Sequence, residues 1–186
     1  MKKRVSFITL GCKVNQYETN AMMQKFQENG YEIVEIDNVS DICVVNTCTV
    51  TNMSDRKSRQ ALRKVKDKNK DAIIVATGCY AQSSKEELEK MPEIDVVLGN
   101  EEKRDIVKYV EKYFEQNQKL TAVQDISVQK EFEDMGQISY TEKIRAVIKV
   151  QDGCDRFCSY CLIPYARGHI RSRKIENVIE EIKKVV

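Results

Sequence analysis

The fold of this chain can be predicted outward from the stretch Ala72–Leu98, AIIVATGCYAQSSKEELEKMPEIDVVL. It begins with an apolar run typical of a buried strand and passes through the tripeptide TGC. A helix follows, which a capping box of Ser83 and Glu86 would start and Pro92 would end. The stretch closes on a second strand pattern, Asp95–Leu98. A strand, a helix and a strand in this order predict a parallel βαβ unit.

The same alternation extends in both directions from this unit. The predicted strands are Val5–Leu10, Tyr31–Ile36, Ile42–Val45, Ala72–Ala76 and Asp95–Leu98, and the further predicted helices are Asn15–Asn29, Ser54–Lys68 and Glu102–Gln116. Strands that alternate with helices predict an α/β fold with a doubly wound parallel sheet. We therefore expect residues 1–116 to form one domain.

A polar segment without periodicity, residues 117–143, follows this domain and reads as a connector with room for a strand or two. Ile144–Val150 is a further strand pattern, and it leads into a loop that contains three cysteines. The apolar residues of the last segment recur at helical spacing between Ile175 and Val186. Residues 144–186 are thus predicted to form one βα unit of a second domain.

The composition argues against a membrane protein, a secreted protein and a disulfide-stabilised protein. The 186 residues carry 32% charged residues, and no apolar run approaches the roughly 20 residues of a membrane helix. The short apolar run after the basic start is too short for a signal peptide, so we expect a cytoplasmic protein. Seven cysteines in a reducing compartment indicate metal ligands or catalytic groups rather than disulfides. His169 is the only histidine, which excludes a mechanism with two histidines in this chain.

A basic run lies on the second predicted helix. Between Arg56 and Lys70 the sequence has eight lysines and arginines against the single acid Asp67. Such a run can bind a phosphate backbone, or it can be a solvated helix face. Both interpretations stay open at this stage.

The strongest chemical signal is a group of three cysteines, Cys154, Cys158 and Cys161, with spacings of three and then two residues. A compact loop can wrap three thiolates around three corners of a cubane iron–sulfur cluster, which leaves one iron open for a small ligand. A zinc site with His169 as the fourth ligand is the alternative, although structural zinc sites favour regular ligand pairs.

Three further cysteines are spread along the earlier part of the chain; they are called the first cysteine group, and Cys154, Cys158 and Cys161 are called the second. Cys12, Cys48 and Cys79 each follow the end of a predicted strand, and the carboxyl ends of parallel strands share one edge of the sheet. The three thiols can therefore meet at one metal site, or they can be unrelated. Cys43 differs, because it lies inside a strand among apolar residues and is predicted to be a core thiol.

The loop with Cys154, Cys158 and Cys161 follows a predicted strand and has an aromatic residue, Tyr160, before its last cysteine. In these features it resembles the radical-SAM signature. The resemblance implies a [4Fe–4S] cluster whose open iron binds S-adenosylmethionine. Reductive cleavage of that cofactor would give a 5′-deoxyadenosyl radical.

Both cysteine groups together resemble the radical-SAM methylthiotransferase family. The segments that carry the resemblance are Leu10-Gly11-Cys12-Lys13-Val14-Asn15-Gln16-Tyr17-Glu18, Val45-Asn46-Thr47-Cys48, Thr77-Gly78-Cys79-Tyr80, the Cys154–Cys161 loop, Pro164-Tyr165-Ala166-Arg167-Gly168 and Arg171-Ser172-Arg173. The resemblance implies that Cys12, Cys48 and Cys79 hold an auxiliary [4Fe–4S] cluster. It also implies two uses of S-adenosylmethionine, one to methylate sulfur and one to make the radical, and an electron donor such as a flavodoxin or ferredoxin.

The family resemblance also bears on the substrate. The segment after Cys12 is most similar to the branch that modifies N6-threonylcarbamoyladenosine 37 in the anticodon loop of tRNA. Other branches modify isopentenyladenosine 37 or an aspartate of a small-subunit ribosomal protein. A non-enzymatic zinc or RNA-binding module is the alternative of another class.

Family members continue with more βα units and a small RNA-binding β-barrel. We therefore expect these 186 residues to contain a truncated radical-SAM barrel and not to turn over alone. The roles of Arg167, Arg171 and Arg173 stay open: they contact S-adenosylmethionine, a cluster or RNA phosphate, or they cap and solvate the start of the last helix.

Overall fold

The computed structural model describes residues 2–136, 138 and 146–185. Six strands make up its main sheet: β1 (Arg4–Thr9), β2 (Glu32–Ile33), β3 (Ile42–Thr47), β4 (Ile73–Gly78), β5 (Val96–Leu98) and β6 (Leu120–Ala122). They form one sheet in the order β2-β1-β3-β4-β5-β6, and every pair is parallel. The predicted doubly wound parallel sheet is confirmed, and a strand from the connector, β6, extends it.

The helices are α1 (Lys13–Glu28), α2 (Asn52–Lys68), α3 (Cys79–Ser83), α4 (Lys85–Glu89), α5 (Ile106–Gln116), α6 (Ile163–Arg167) and α7 (Ile175–Val185). Short 3-10 turns lie at Glu102–Asp105 and Ile126–Val128. Two further strands, β7 (Gln151–Asp152) and β8 (Arg171–Ser172), pair antiparallel outside the main sheet.

Each face of the sheet has its own hydrophobic core. Helices α1 and α5 cover one face, where Phe26 of α1 and Ile106 of α5 are fully buried. Helix α2 and the short helices α3 and α4 cover the other face, around Leu62. Cys43 lies in this second core with 1% of its surface exposed and its sulfur 3.2 Å from Ser6 Oγ, so the prediction of a core thiol is confirmed.

The helix after β4 begins earlier than the sequence suggests. Gly78 has a φ of 100°, which lets the chain turn directly from the strand into α3 at Cys79. Ser83 is the last residue of this short helix, and Ser84 interrupts it before α4. The predicted capping box of Ser83 and Glu86 is therefore wrong.

The segment around the second cysteine group also differs from the prediction. For the predicted strand Ile144–Val150, residues 144 and 145 lie outside the described residues, and residues 146–150 form no strand. The chain instead forms the short β7–β8 ribbon on either side of the cysteine loop. That residues 144–186 begin a barrel remains a prediction.

Helix α7 turns its apolar stripe outward. Ile175, Ile179 and Ile182 are 67%, 44% and 42% exposed, whereas Glu181 is 1% exposed. The amphipathic pattern predicted the helix correctly, but the face that packs against the described domain carries the buried acid.

None of the helices that the structure describes is both long enough and apolar enough to cross a membrane.

Candidate metal centre

Cys12, Cys48 and Cys79 lie side by side at the carboxyl edge of the sheet. Cys12 precedes α1 just after β1, Cys48 directly follows β3, and Cys79 is the first residue of α3 after β4. Strands β1, β3 and β4 are consecutive in the sheet. The chain leaves β1 for β2 on one side, whereas β3 lies on the other, and such a switch point is where open α/β sheets bind ligands.

Two glycines allow the three cysteine loops to pack closely. Gly11 and Gly78 both have a φ of 100°, which residues with side chains rarely adopt. A Cβ on Gly11 would lie 2.7 Å from the sulfur of Cys48, and one on Gly78 would lie 2.7 Å from the backbone nitrogen of Thr47. The loop of Cys12 therefore packs on Cys48, and the loop of Cys79 packs on the residue before Cys48.

Asn15, fully buried on the first turn of α1, fixes two of these loops. Its Nδ2 donates hydrogen bonds to the carbonyls of Leu10, at 2.7 Å, and Thr47, at 3.0 Å. Its Oδ1 lies 3.9 Å from the sulfur of Cys12. One side chain thus joins the segment before Cys12 to the segment before Cys48.

The thiols of this group differ in exposure. Cys12 is exposed, whereas Cys48 and Cys79 are 5% and 4% exposed. Burial raises the pKa of Cys79, while the nearby cations Arg167 and Lys103 act to lower it. Because metals bind the thiolate, these cations favour the form of Cys79 that a metal requires.

The second cysteine group lies on a loop that closes on itself. Gly153 has a φ of 79°, and a side chain there would run into the carbonyl of His169. The amide of Cys154 donates to Gly168 O at 3.0 Å, and the amide of Cys161 donates to Cys158 O at 2.9 Å. Cys158 is exposed and the other two thiols are half-buried, so all three remain accessible to a ligand.

The distances between ligand atoms bear on the zinc alternative. His169 Nδ1 lies 2.5 Å from Asp155 Oδ1, and a carboxylate in this position can orient a histidine whose other ring nitrogen binds a metal. A tetrahedral zinc with bonds of 2.3 Å would hold its thiolates about 3.8 Å apart. Within the described part of the chain, no three cysteine or histidine ligand atoms lie within 4.8 Å of one another. A cubane spreads its ligands further, because each thiolate binds a different iron.

A buried ionic network, which the sequence interpretation missed, lies next to the first cysteine group. Glu18 of α1 is fully buried and accepts hydrogen bonds from Lys103, from Lys149 at 2.8 Å and from Arg167 at 2.8 Å. Asp152 accepts from Lys149 at 2.7 Å and from Arg167 at 2.9 Å. The network joins α1 to the segments on both sides of the second cysteine group.

The carboxylates of the network differ in charge. Burial acts to raise the pKa of Glu18, but Arg167, Lys103 and Lys149 outweigh it and hold this pKa well below its usual value. Burial raises the pKa of Glu133 to about 8, against the effect of Lys149. Both Glu133 oxygens lack a hydrogen-bond partner among the described residues.

Glu18, Glu133 and Asp152 bring ligand oxygens within 4.8 Å of one another, in a spacing that would suit a metal ion. The ammonium groups of Lys103 and Lys149 and the guanidinium of Arg167 already contact this group. Three buried cations repel a further one, so we assign no metal to it.

The three arginines after the second cysteine group are all buried. Arg173 bonds to Glu181 of α7, and its Nη1 donates to the Tyr17 hydroxyl at 3.2 Å. Arg171 Nη2 donates to the carbonyl of Arg167 at 2.9 Å. Because these side chains are 3–6% exposed, the interpretation that they solvate the start of α7 is wrong.

Helix α2 is less free to bind phosphate than its sequence suggests. Four of its cations contact acids, in the pairs Arg59–Glu87, Arg63–Glu93, Lys66–Asp95 and Lys68–Asp37. The exposed cations for which the described structure shows no ion pair are Arg56, Lys57, Lys64 and Lys70. About half of the basic run therefore remains for an anionic partner.

The fold and the first cysteine group define a doubly wound α/β domain with a candidate metal centre at its carboxyl edge. The model of the uncharacterized protein family UPF0004 matches residues 4–99, just over half of the chain. The chain belongs to this family.

Curated relatives match almost the whole chain. The threonylcarbamoyladenosine tRNA methylthiotransferase MtaB of Aquifex aeolicus is 44% identical over 97% of the chain, and that of Bacillus subtilis is 43% identical over 98%. The ribosomal protein uS12 methylthiotransferase RimO of Clostridium novyi is 36% identical over 98%. The aligned part is 44%, 40% and 41% of these three relatives, so the chain spans about two fifths of their length.

Proposed function

We propose that this chain is the N-terminal part of a radical-SAM methylthiotransferase that adds a methylthio group to C2 of N6-threonylcarbamoyladenosine 37 in tRNA. The observation that carries the proposal is the packing of the loops of Cys12, Cys48 and Cys79 at one sheet edge, beside a loop with three further cysteines. The names and identities of the relatives support the same reaction.

In this proposal each cysteine group has its own role. Cys12, Cys48 and Cys79 hold an auxiliary [4Fe–4S] cluster, and the trio Cys154, Cys158 and Cys161 holds the cluster that binds S-adenosylmethionine. When bound, the two clusters and this cofactor supply the methylated sulfur and the radical that removes hydrogen from the substrate carbon.

The chain's own residues position these two groups. Gly11 and Asn15 hold the first thiols together, and the Gly153 turn closes the second loop. The buried contacts of Glu18 with Lys149 and Arg167 join the two regions. The exposed cations of α2 are suited to contact tRNA phosphate, and the electron donor and cytoplasmic location remain predictions.

The second candidate substrate is an aspartate of ribosomal protein uS12. The Clostridium novyi relative supports it, but at 36% identity against 44% and 43% for the tRNA enzymes. Because the relatives are more than twice as long, we propose the activity for a chain of their length and expect residues 1–186 alone not to turn over.

A pair of chimeras tests the proposal. Residues 1–186 replace the aligned segment of the Bacillus subtilis tRNA enzyme and, separately, of the Clostridium novyi ribosomal enzyme. Each chimera is expressed in a strain that lacks the corresponding activity. Mass spectrometry then measures methylthiolated nucleosides in digested tRNA and the mass of protein uS12. Versions with Cys12→Ala serve as matched controls.

We expect the tRNA chimera to restore the modified nucleoside and its Cys12→Ala version to abolish it. Modified uS12 from the second chimera, with unmodified tRNA from the first, would move the assignment to the ribosomal branch. Iron-loaded chimeras without either product would contradict the methylthiotransferase proposal itself.

A further inference from the structure

The guanidinium of Arg167 is connected to both cysteine groups. Its Nη2 donates to Asn15 Oδ1 at 2.8 Å, and that oxygen lies 3.9 Å from the sulfur of Cys12. Its Nη1 donates to Asp152 Oδ2 at 2.9 Å, and Asp152 accepts a 2.8 Å hydrogen bond from the amide of Gly153, next to the second cysteine group. One buried side chain therefore bridges the two regions.

Arg167 also lies close to Cys79. It is the last residue of α6, and α6 packs against α3, the helix that begins at Cys79. Arg167 is thus linked to Cys12 through Asn15, and its helix packs against the helix that begins at Cys79.

The network around Arg167 has an excess of positive charge. Its buried cations are Lys103, Lys149 and Arg167, whereas its ionised carboxylates are Glu18 and Asp152. Glu133, whose pKa burial raises to about 8, is mainly protonated at pH 7. Three cations and two anions leave one net positive charge beside the thiols, in a water-poor site where charges act strongly.

We propose that Arg167 is a positioning residue that sets the reduction potential of the cluster held by Cys12, Cys48 and Cys79. This inference rests on the proposed function. A fixed positive charge beside a cluster stabilises the reduced state, which carries one more electron, and net charge and hydrogen bonds are the means by which proteins tune cluster potentials. Because Arg167 belongs to the segment after the second cysteine group, docking of that segment would raise the potential of the first site.

Redox titration of the first cluster alone tests this inference. The background variant Cys154→Ala/Cys158→Ala/Cys161→Ala removes the second site, and electron paramagnetic resonance follows the reduced signal in a mediated titration. Arg167→Gln removes the charge, and Arg167→Lys keeps it. Arg173→Gln is the matched control, because Arg173 is also buried and ion-paired but contacts Tyr17, Glu181 and Asp134.

Arg167→Gln should retain about four irons per chain, the content of one [4Fe–4S] cluster, and it should lower the reduction potential of that cluster. At the midpoint potential of the parent, we expect the ratio of reduced to oxidised cluster to fall about tenfold, which is 59 mV for one electron. Arg167→Lys should shift it less, and Arg173→Gln should leave it unchanged. Glu18→Gln, which removes a negative charge from the same network, should shift it upward.

An unchanged potential in an iron-loaded Arg167→Gln variant, or an equal shift in Arg173→Gln, would overturn the inference. Iron loss from Arg167→Gln, with or without loss from Arg173→Gln, would reduce Arg167 to a structural role and would also overturn the inference. Absence of iron from the background variant itself is a different result, because it contradicts the proposed first cluster.

Discussion

Glu133 offers a stringent test of the buried network, since it is 2% exposed and its carboxylate oxygens have no described partner. Burial raises its pKa from 4.5 to about 8 in the folded protein. The stabilising contribution of its protonated form is therefore complete below pH 4.5, and it is lost as the pH rises toward 8. Between these pH values the folded state binds about one more proton than the unfolded state. The free energy of unfolding therefore falls by about 1.4 kcal/mol for each pH unit.

The substitution Glu133→Gln keeps the size of the side chain and removes this titration. We expect the free energy of unfolding of wild type to fall by about 2–3 kcal/mol relative to the variant between pH 5 and pH 7. Urea unfolding of both proteins, with reduced thiols and at the same ionic strength, measures the difference at each pH. Titrating groups that do not interact with Glu133 are shared by both proteins and cancel in this comparison. A difference that does not change with pH would refute the raised pKa and the net positive charge assigned to the network.

Three further substitutions test the packing and the site. Glu18→Gln leaves three buried cations with Asp152 alone, so we expect a loss of about 3–5 kcal/mol in urea unfolding at pH 7; a loss below about 1 kcal/mol would contradict the network. Leu62→Ala, at a fully buried position of α2, should cost about 2–5 kcal/mol in the same assay, and an unchanged midpoint would mean that this core is not formed. At Gly78 the φ angle is 100° and a Cβ would meet Thr47. Gly78→Ala should therefore displace the loop of Cys79 and lower iron binding by the first cysteine group. Undiminished iron binding would show that the close approach of the two loops is not needed.

The alternation of strands and helices could be predicted from the sequence, because buried strands and helix faces leave local patterns. The β-branched run before Gly78 and the helical spacing of α7 are examples. The position of the first cysteine group was also predictable, since parallel strands place their carboxyl ends at one edge. What the pattern did not show was the direction in which α7 packs, because its apolar stripe is exposed and Glu181 is buried.

The network around Glu18 could not be predicted in the same way. Its members come from α1, a 3-10 turn, the segment before β7 and the end of α6, and only the tertiary fold brings these charges together. One local signal was present: Asn15 and Glu18 lie three residues apart on α1 and are polar residues on a face that also carries Met22. A polar pair at helical spacing on a core face indicates buried partners, which distant lysines and arginines provide here.

We propose that two separate cysteine trios each hold a cluster. Anaerobic iron and sulfide content per reconstituted chain tests this for wild type, for Cys12→Ala/Cys48→Ala/Cys79→Ala and for Cys154→Ala/Cys158→Ala/Cys161→Ala. We predict about eight irons in the wild type and about four in each triple variant. About four irons in the wild type, lost only with the second trio, would contradict the auxiliary cluster, and bound zinc without iron would contradict both sites.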